Sequence, residues 1–304
     1  MLAISTAWRS EILDSGKEIV EEILGLGVNT LELEYRISRV NLEEMEPYLR
    51  DGRISVQSLH NIFPLPRHIP KSQANGEFVS LSSPNDRERK SAIAYTLKTM
   101  EWARKLGARA VVLHMGRVPM DGVMGLLIEA YDRGITGTEE GKAFIAEHKE
   151  TRVRLGKALL DASLKSLEIL AREAQRQGVL LGIENRYNIQ DFPSLEEFQA
   201  IFREFGASPI RYWHDMGHAT TQENLGLVGK GELLENFGEL LLGVHLHGCR
   251  GYQDHYAPGS GEEDYSLLKK FLKPETLRVV EAHYRATREE LLRGLDFLKE
   301  QGIA

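Results

Sequence analysis

The sequence lacks the features that mark secreted and membrane-spanning proteins. Its only cysteine is Cys249, so no disulfide can form within the chain, and a reducing compartment is the simplest expectation. The N-terminus, MLAISTAWRSE, has no basic region followed by a long apolar core, so we expect no signal peptide. No stretch approaches the roughly 18 apolar residues of a membrane-spanning helix. We therefore expect a soluble, cytoplasmic protein without a membrane partner.

An excess of positive charge is also missing. The chain of 304 residues carries 38 Lys and Arg against 45 Asp and Glu, a formal net charge of −7. Because phosphate contacts need clustered Lys and Arg, this balance argues against a nucleic-acid partner. The sequence also has no linker rich in Pro, Gly or Ser and no Gly-x-Gly-x-x-Gly fingerprint of dinucleotide-binding folds. We expect one domain spanning residues 1–304.

What the sequence does contain is a recurring local pattern. A helix-like segment ends, a glycine follows, and a short apolar run begins, as in KLGARAVVLH, RQGVLLGIE and EFGASPIRYWHD. Glycine after a helix fits a left-handed C-terminal cap, and the aliphatic run is typical of a buried parallel strand. Between the runs, apolar residues such as Ile93, Leu97 and Met100 keep helical spacing. This alternation predicts a parallel sheet with helices outside it.

Counting these runs predicts the architecture. Eight candidate strands lie near residues 2–6, 29–34, 54–59, 109–114, 179–184, 209–215, 241–247 and 277–282. Eight such units predict an α/β fold, a single (β/α)8 TIM barrel, with an open doubly wound sheet as the alternative. Two long connections, residues 61–85 and 117–152, follow strands 3 and 4, where barrels place lids and substrate-binding loops.

Most of the later strands end in a side chain that binds metals or moves protons. In chain order these are His60, His114, Glu184, Asp215, His245 with His247, and Glu281. In a barrel they would converge on one pocket at the C-terminal face. Carboxylates crowded there would repel one another, and a divalent cation removes that cost. Mixed carboxylate and imidazole ligands suit Mn, Zn, Co or Fe better than Mg or Ca.

Each of these residues taken alone has a simpler interpretation. A single histidine at a strand end is usually a hydrogen-bonded structural residue, and Asp215 could merely cap the helix that begins at MGHA. Six such strand ends in one register favour a shared metal site instead. Strand alternation points His214 away from Asp215 and leaves the choice between His245 and His247 open. Three histidines outside the pattern are interpreted as surface or supporting groups: His68, His148 and His283.

A set of motifs in fixed order resembles the xylose-isomerase-like barrel superfamily of sugar isomerases, sugar epimerases and endonuclease IV. The motifs are GIENRYN, HDMGHA, VHLHG, DHYAPGSGEEDY and VVEAH. The resemblance implies that one metal is held by Glu184, Asp215, His245 and Glu281. It implies that His218 binds substrate or a further metal, and that His255 matches a family histidine preceding a Gly-x-Gly element. His60 and His114 match positions that carry additional zinc in endonuclease IV.

The sequence departs from the family pattern at two places. Gly248 stands where an aspartate is common, and Gln253 stands where the family has an aspartate two residues before the position of His255. Asp254 is displaced by one residue from that second position. These departures argue against a complete three-zinc cluster.

The resemblance predicts a divalent-metal-dependent isomerase or epimerase acting on a sugar or sugar-like polyol. A metal such as Mn, Zn or Co, in a number that the sequence leaves open, would bind the substrate carbonyl and a neighbouring hydroxyl and stabilise an enediolate. Glu184 and Glu281, from non-adjacent strands, are the expected catalytic bases on opposite faces of the substrate. Arg250 or Arg186 could bind a distal oxygen or phosphate, although a surface position is the default for an arginine.

The same residues are compatible with three other functions. The extra histidines favour a zinc phosphodiesterase like endonuclease IV, but the acidic charge balance disfavours it. The segment EHKETRVRLGK is basic, but we expect it to be a solvated helix face. A dehydratase (lyase) would use the same metal and base. A barrel that only senses a ligand has no need for so many like charges. The long loops are expected to set the substrate, and the sequence leaves a homo-oligomer open.

Overall fold

The structure is a computed structural model that describes residues 2–304. Eight parallel strands close into a barrel: β1 (Leu2–Ser5), β2 (Thr30–Leu33), β3 (Ser55–His60), β4 (Ala110–Leu113), β5 (Leu180–Glu184), β6 (Ile210–Asp215), β7 (Leu241–Leu246) and β10 (Leu277–Val280). Their order around the barrel is β1-β10-β7-β6-β5-β4-β3-β2. A two-stranded hairpin, β8 (Gly248–Arg250) and β9 (Gln253–Tyr256), follows β7. The predicted (β/α)8 TIM barrel is confirmed.

Helices connect the strands around the outside of the barrel. They are α1 (Ala7–Ser10), α2 (Gly16–Leu24), α3 (Arg39–Arg50), α4 (Asp86–Leu106), α5 (Val123–Asp132), α6 (Glu139–Gln177), α7 (Leu195–Phe205), α8 (Met216–Asn224), α9 (Glu232–Phe237), α10 (Tyr265–Lys269) and α11 (Arg288–Glu300). Single 3-10 turns occupy Lys71–Gln73 and Gly238–Leu240. Between residues 2 and 304, no helix combines the length and the apolar character that crossing a membrane would need.

The predicted glycine caps are only partly present. Gly107 after α4 and Gly178 after α6 adopt the left-handed conformation, with φ of 71° and 69°. Gly206 after α7 differs, because its φ of −58° continues the right-handed turn. The amide of Ser208 then donates to the carbonyl of Phe205, and this extra turn ends the helix instead.

The lower part of the barrel interior is an apolar layer whose largest side chain is Trp213. Trp213 of β6 is fully buried there, and two glycines of neighbouring strands make room for its ring. A Cβ on Gly182 or Gly243 would lie 2.9 Å or 2.3 Å from the nearest Trp213 atom. Above this apolar layer the interior becomes polar. Trp213 and Asp215 are two residues apart on β6, so one strand contributes to both layers.

The strand alternation around Asp215 is as predicted. Tyr212 and His214 face outward, where Tyr212 packs between aromatic rings of α7 and α9. The hydroxyl of Tyr212 lies 2.8 Å from Nδ1 of His214. His214 is therefore buried between the barrel and its outer helices, on the opposite face of β6 from Asp215.

The second long connection, residues 117–152, is largely helical. It consists of α5 and the first part of α6, a helix of 39 residues. Its apolar side chains form a separate cluster with the loop after β5 and the end of α8: Leu127, Ile145, Ile189, Leu225 and Leu227. The connection therefore builds one wall beside the mouth of the barrel.

Arg152 overturns part of the expectation that EHKETRVRLGK is a solvated face. This residue of α6 is buried, with its Nε donating to the carbonyl of Ile189 at 2.8 Å. Its Nη2 donates to the carbonyl of Asp191 at 2.7 Å and to Glu197 Oε2 at 2.8 Å. Helical periodicity missed this role because the partners belong to a loop and a helix remote in sequence.

Candidate metal centre

The strand ends deliver the predicted side chains to the C-terminal mouth of the barrel. Glu184 and Asp215 are the last residues of β5 and β6, whereas His114 and Glu281 follow β4 and β10 directly. All the predicted strand-end groups are buried: His60, His114, Glu184, Asp215, His245, His247 and Glu281. Asp215 also caps α8, since its Oδ1 accepts from the amide of His218 at 2.7 Å. The carboxylate of Asp215 therefore both caps α8 and forms part of the site.

The first group of converging side chains is the predicted set of four. Glu184, Asp215, His245 and Glu281 each offer one ligand atom, and these atoms lie within 4.8 Å of one another. Nδ1 of His245 is 2.9 Å from Glu281 Oε2 and 3.5 Å from Asp215 Oδ2. One divalent ion could therefore contact all four residues.

A second group shares Glu184 with the first. His60, His114 and Glu184 offer ligand atoms within the same 4.8 Å limit. Nε2 of His60 and Nε2 of His114 lie 3.2 Å and 3.0 Å from Glu184 Oε2. The two histidines predicted as substrate or additional metal ligands therefore adjoin the first group.

A third group shares Asp215 with the first and is completed by His218, His247 and His255. His247 is special because its Nδ1 accepts the amide hydrogen of His255 at 2.9 Å. A ring nitrogen that accepts a hydrogen bond carries no hydrogen itself, so the N–H of His247 is on Nε2, which donates to Asp215 at 2.9 Å. This geometry favours His245 over His247 as the strand-7 ligand and gives His247 the role of orienting Asp215.

Asp254 reaches the third group despite its displacement in sequence. Its Oδ2 lies 3.5 Å from Nε2 of His218, and its Oδ1 lies 2.7 Å from Nδ1 of His255. His255 has a positive φ of 61°, and its ring stacks on that of His283 with centroids 3.7 Å apart. The turn of the hairpin thus places Asp254 where sequence spacing alone did not.

The donor chemistry of the site fits a cation. His60 directs Nδ1 at the carbonyl of Asn61, at 3.2 Å, and Nε2 at Glu184. Both atoms of His114 face carboxylates, Nδ1 that of Glu77 at 3.0 Å and Nε2 that of Glu184. Because a neutral ring has one N–H, one nitrogen in each ring faces an acceptor without a hydrogen between them. A metal ion or an additional proton removes that repulsion.

The electrostatic balance points the same way. Burial raises the pKa of Glu184, but His114 and Arg186 outweigh it and hold the pKa well below its usual range. Burial lowers the pKa of His114, yet the pull of Glu184 and Glu77 exceeds it and the pKa rises. Burial also lowers the pKa of His245, and Glu281 and Glu32 more than reverse this. Ionised carboxylates therefore dominate the site and draw positive charge to the imidazoles.

The long loop of residues 61–85 contributes to the site, which sequence reasoning did not resolve. A Cβ on Gly76 would lie 2.3 Å from Nδ1 of His114, so only glycine lets the loop approach this ring. Burial raises the pKa of the adjacent Glu77, but His114 and Arg186 outweigh it and lower the pKa to about 2. No local motif marks these residues.

The two arginines considered from the sequence occupy different places. Arg186 is largely buried, and its Nη1 lies 3.1 Å from Glu184 Oε1, so the default of a surface position is wrong for it. Its place two residues after Glu184, on the same side of the chain, was the available signal. Arg250 is exposed on the hairpin, where its Nε donates to the carbonyl of Ser260 at 2.7 Å and its guanidinium lies over Tyr256.

A closed α/β barrel with buried carboxylates and imidazoles at its C-terminal mouth defines a recognisable class of proteins. The chain belongs to the xylose isomerase-like TIM barrel family, whose family model matches residues 20–301. Two uncharacterized proteins of Methanocaldococcus jannaschii, MJ1311 and MJ1614, are each 24% identical to it. The matches cover 68% and 85% of this chain, and 59% and 90% of the two relatives.

Solved structures share the fold at low sequence identity. A D-tagatose 3-epimerase-like protein superposes with a TM-score of 0.68 at 18% identity, covering 99% of this chain and 96% of the other. The 3-keto-D-glucoside 4-epimerase YcjR from E. coli gives 0.67 at 15% identity, with 98% of both chains covered. The IOLI protein with a bound zinc atom gives 0.64 at 16% identity, with 99% and 97% covered.

Proposed function

We propose that the protein is a divalent-metal-dependent isomerase or epimerase of a sugar or sugar-like polyol. The observation that carries the proposal is the first ligand group, in which Glu184 and Glu281 converge with Asp215 and His245. Sugar epimerases among the solved structures of the same fold support the substrate class. When bound there, a divalent metal would supply Lewis-acid stabilisation of the oxyanion that forms as a proton leaves carbon.

The two glutamates are suited to moving the proton. β6 and β7 separate β5 from β10 in the barrel, so Glu184 and Glu281 approach from different sides. Burial raises the pKa of Glu281, but His245 outweighs it, so this carboxylate is ionised and able to accept a proton. One glutamate removes a proton from the carbon beside the carbonyl, and the other returns one on the opposite face.

His218 is our candidate for binding a hydroxyl of the substrate. Its Nδ1 lies 3.1 Å from the carbonyl of Asn185, while Nε2 is buried, makes no hydrogen bond and faces Asp254 Oδ2 at 3.5 Å. A hydroxyl of the substrate is the natural partner for this nitrogen. Arg186, beside Glu184, balances carboxylate charge, and the exposed Arg250 stays a prediction as a ligand for a distal oxygen.

Proton exchange tests the proposal directly. Protein loaded with Mn²⁺, Co²⁺ or Zn²⁺ should exchange a carbon-bound hydrogen of one member of a ketose panel with D₂O, followed by NMR. Glu184→Gln and Glu281→Gln should each lose roughly 10²–10⁴-fold in the rate at which substrate and product interconvert, the usual contribution of a general base. Each variant should still exchange the hydrogen that faces its remaining glutamate. The exposed Glu262→Gln serves as control. Full interconversion of substrate and product by Glu281→Gln contradicts the two-base mechanism, and no exchange with any loaded metal contradicts the function.

A second candidate, a zinc phosphodiesterase like endonuclease IV, is favoured by one observation. The three ligand groups are joined through the shared residues Glu184 and Asp215, an arrangement suited to several adjacent ions. Elemental analysis of the purified protein separates the candidates, because one ion per chain supports the isomerase and three support the phosphodiesterase. Cleavage of abasic DNA by the zinc-loaded protein would establish the second function at the expense of the first.

A further inference from the structure

Glu32 of β2 lies inside the barrel against one histidine of the first ligand group. Its side chain is completely buried, and its carboxylate oxygens are 3.1 Å and 3.3 Å from Nε2 of His245. The hydroxyl of Ser58 on β3 donates to Glu32 at 2.8 Å. Within residues 2–304, no lysine or arginine forms an ion pair with this carboxylate. Nε2 of His245 and the hydroxyl of Ser58 are therefore the side-chain groups that face this carboxylate.

The carboxylate of Glu32 determines which nitrogen of His245 carries hydrogen. An ionised carboxylate only accepts hydrogen bonds, so Nε2 of His245 must donate. In a neutral ring this leaves Nδ1 bare, and Nδ1 is the atom that faces Glu281 and Asp215. We propose that Glu32 is a positioning residue that holds His245 with Nε2 protonated, so that Nδ1 can bind the metal. The inference rests on the metal site of the proposed function.

A role in packing alone does not account for Glu32. Burying a carboxylate without a lysine or arginine is costly, and an apolar side chain would fill the barrel at no such cost. A metal bound at Nδ1 would withdraw electron density from the ring and make Nε2–H a stronger donor to Glu32. The carboxylate in turn makes the ring a better ligand and fixes its orientation.

Metal affinity provides the first test, measured by competition with a chromogenic zinc chelator. Glu32→Gln should bind zinc about 10–100-fold more weakly, the usual effect of removing such a partner, because an amide can turn its NH₂ toward Nε2 and drive the proton to Nδ1. Glu34→Gln is the matched control. Glu34 is also buried and stands two residues further along the chain, but it pairs with Arg36 at 3.1 Å. Equal zinc affinity of Glu32→Gln and the wild type would overturn the inference.

The protonation of the ring is the second test and needs no variant of Glu32. In wild-type protein with ¹⁵N-labelled histidine rings, Nε2 of His245 should carry a proton both with and without zinc. Its signal is assigned by its disappearance in His245→Asn. A bare Nε2 in either state refutes the role of Glu32, even if Glu32→Gln fails to fold.

The outcomes for the inference and for the proposed function are separable. If Glu32→Gln weakens zinc binding and no ketose exchanges a hydrogen, the inference stands and the sugar chemistry fails. If a ketose exchanges and both glutamate variants bind zinc like the wild type, the inference alone fails. If the wild type binds no zinc, the ring spectrum still decides whether Glu32 controls His245.

Discussion

At the scale of single residues, the site depends on small side chains as much as on charged ones. Gly217 of α8 leaves the space in which the ring of His247 lies, and a Cβ there would be 2.1 Å from Cε1 of that ring. His247 in turn donates to Asp215. Adding a single methyl group at Gly217 would therefore disturb the orientation of Asp215, a candidate ligand.

Gly217→Ala should displace His247 and weaken zinc binding. The overlap resembles overpacking of a core, which costs about 1–3 kcal/mol, and we expect a loss of that order in the free energy of unfolding. Denaturant unfolding and zinc titration measure the two effects. Gly125→Ala in α5 is the control, because a Cβ there meets nothing within 4 Å. Unchanged zinc affinity in Gly217→Ala would show that His247 does not orient Asp215.

A second prediction at this scale concerns acid. Burial lowers the pKa of His214 to about 4, so this ring is neutral in the folded protein. Unfolding lets it take up a proton at its ordinary pKa near 6.5. Its contribution to stability is therefore complete above pH 6.5 and is lost as the pH falls toward 4. The loss amounts to at most roughly 3 kcal/mol, from about 1.4 kcal/mol per pKa unit.

Metal-free protein should accordingly lose stability between pH 6.5 and 4, as followed by urea unfolding. His214→Gln should reduce this loss, because glutamine does not titrate. The part that remains belongs to His283, since burial also lowers the pKa of that ring well below its ordinary value. The pKa of His114 and that of His245 are raised, so their contributions are already complete below pH 6.5 and do not obscure the comparison. Parallel profiles for the two proteins would mean that His214 is not the group responsible.

At the scale of elements, the loop after β5 is held from outside the barrel. Arg152 of α6 donates to carbonyl groups at Ile189 and Asp191 and to the carboxylate of Glu197 on α7. Gly156, one turn later, keeps the space open, since a Cβ there would lie 2.6 Å from Glu197 Oε1. The same loop begins with Arg186, which lies in the site. The part of the loop held by Arg152 therefore follows the site directly along the chain.

Arg152→Met should destabilise the protein by roughly 3–5 kcal/mol, because it leaves Glu197 buried without its partner. Urea unfolding measures this, and Arg154→Met provides the control because Arg154 is exposed on the same helix. We also expect faster amide hydrogen exchange in residues 186–193. Equal stability of the two variants would contradict a clamping role for Arg152.

At the scale of the whole molecule, the barrel concentrates ionised carboxylates at one end. A bound metal that has no affinity for the unfolded chain adds stability in proportion to the logarithm of its concentration. At a metal concentration 100 times the dissociation constant, Tm should rise by roughly 5 °C. Differential scanning fluorimetry with and without chelator checks this, and a Tm indifferent to every divalent metal would argue against the metal centre.

The sequence predicted the barrel and the strand-end groups for a physical reason. Strand and helix periodicity is local, and the carboxyl ends of parallel strands share one face, so Glu184 and Asp215 could be placed together. Glu77 was not predicted because it reaches His114 from a loop without a pattern. Glu32 lies in the run LELE, where charged residues alternate within an otherwise apolar strand. That alternation was a usable signal for an inward-facing carboxylate.

The length of α6 bears on how a substrate could reach the barrel. Its 39 residues form one uninterrupted rod of roughly 58 Å, which packs on α4 and β5 and carries α5 near its beginning. The wall it supports is therefore stiffly coupled to the scaffold and is poorly suited to swing as a gate. We therefore expect slower amide hydrogen exchange in α5 than in residues 61–85, and the opposite order would contradict a stiff wall.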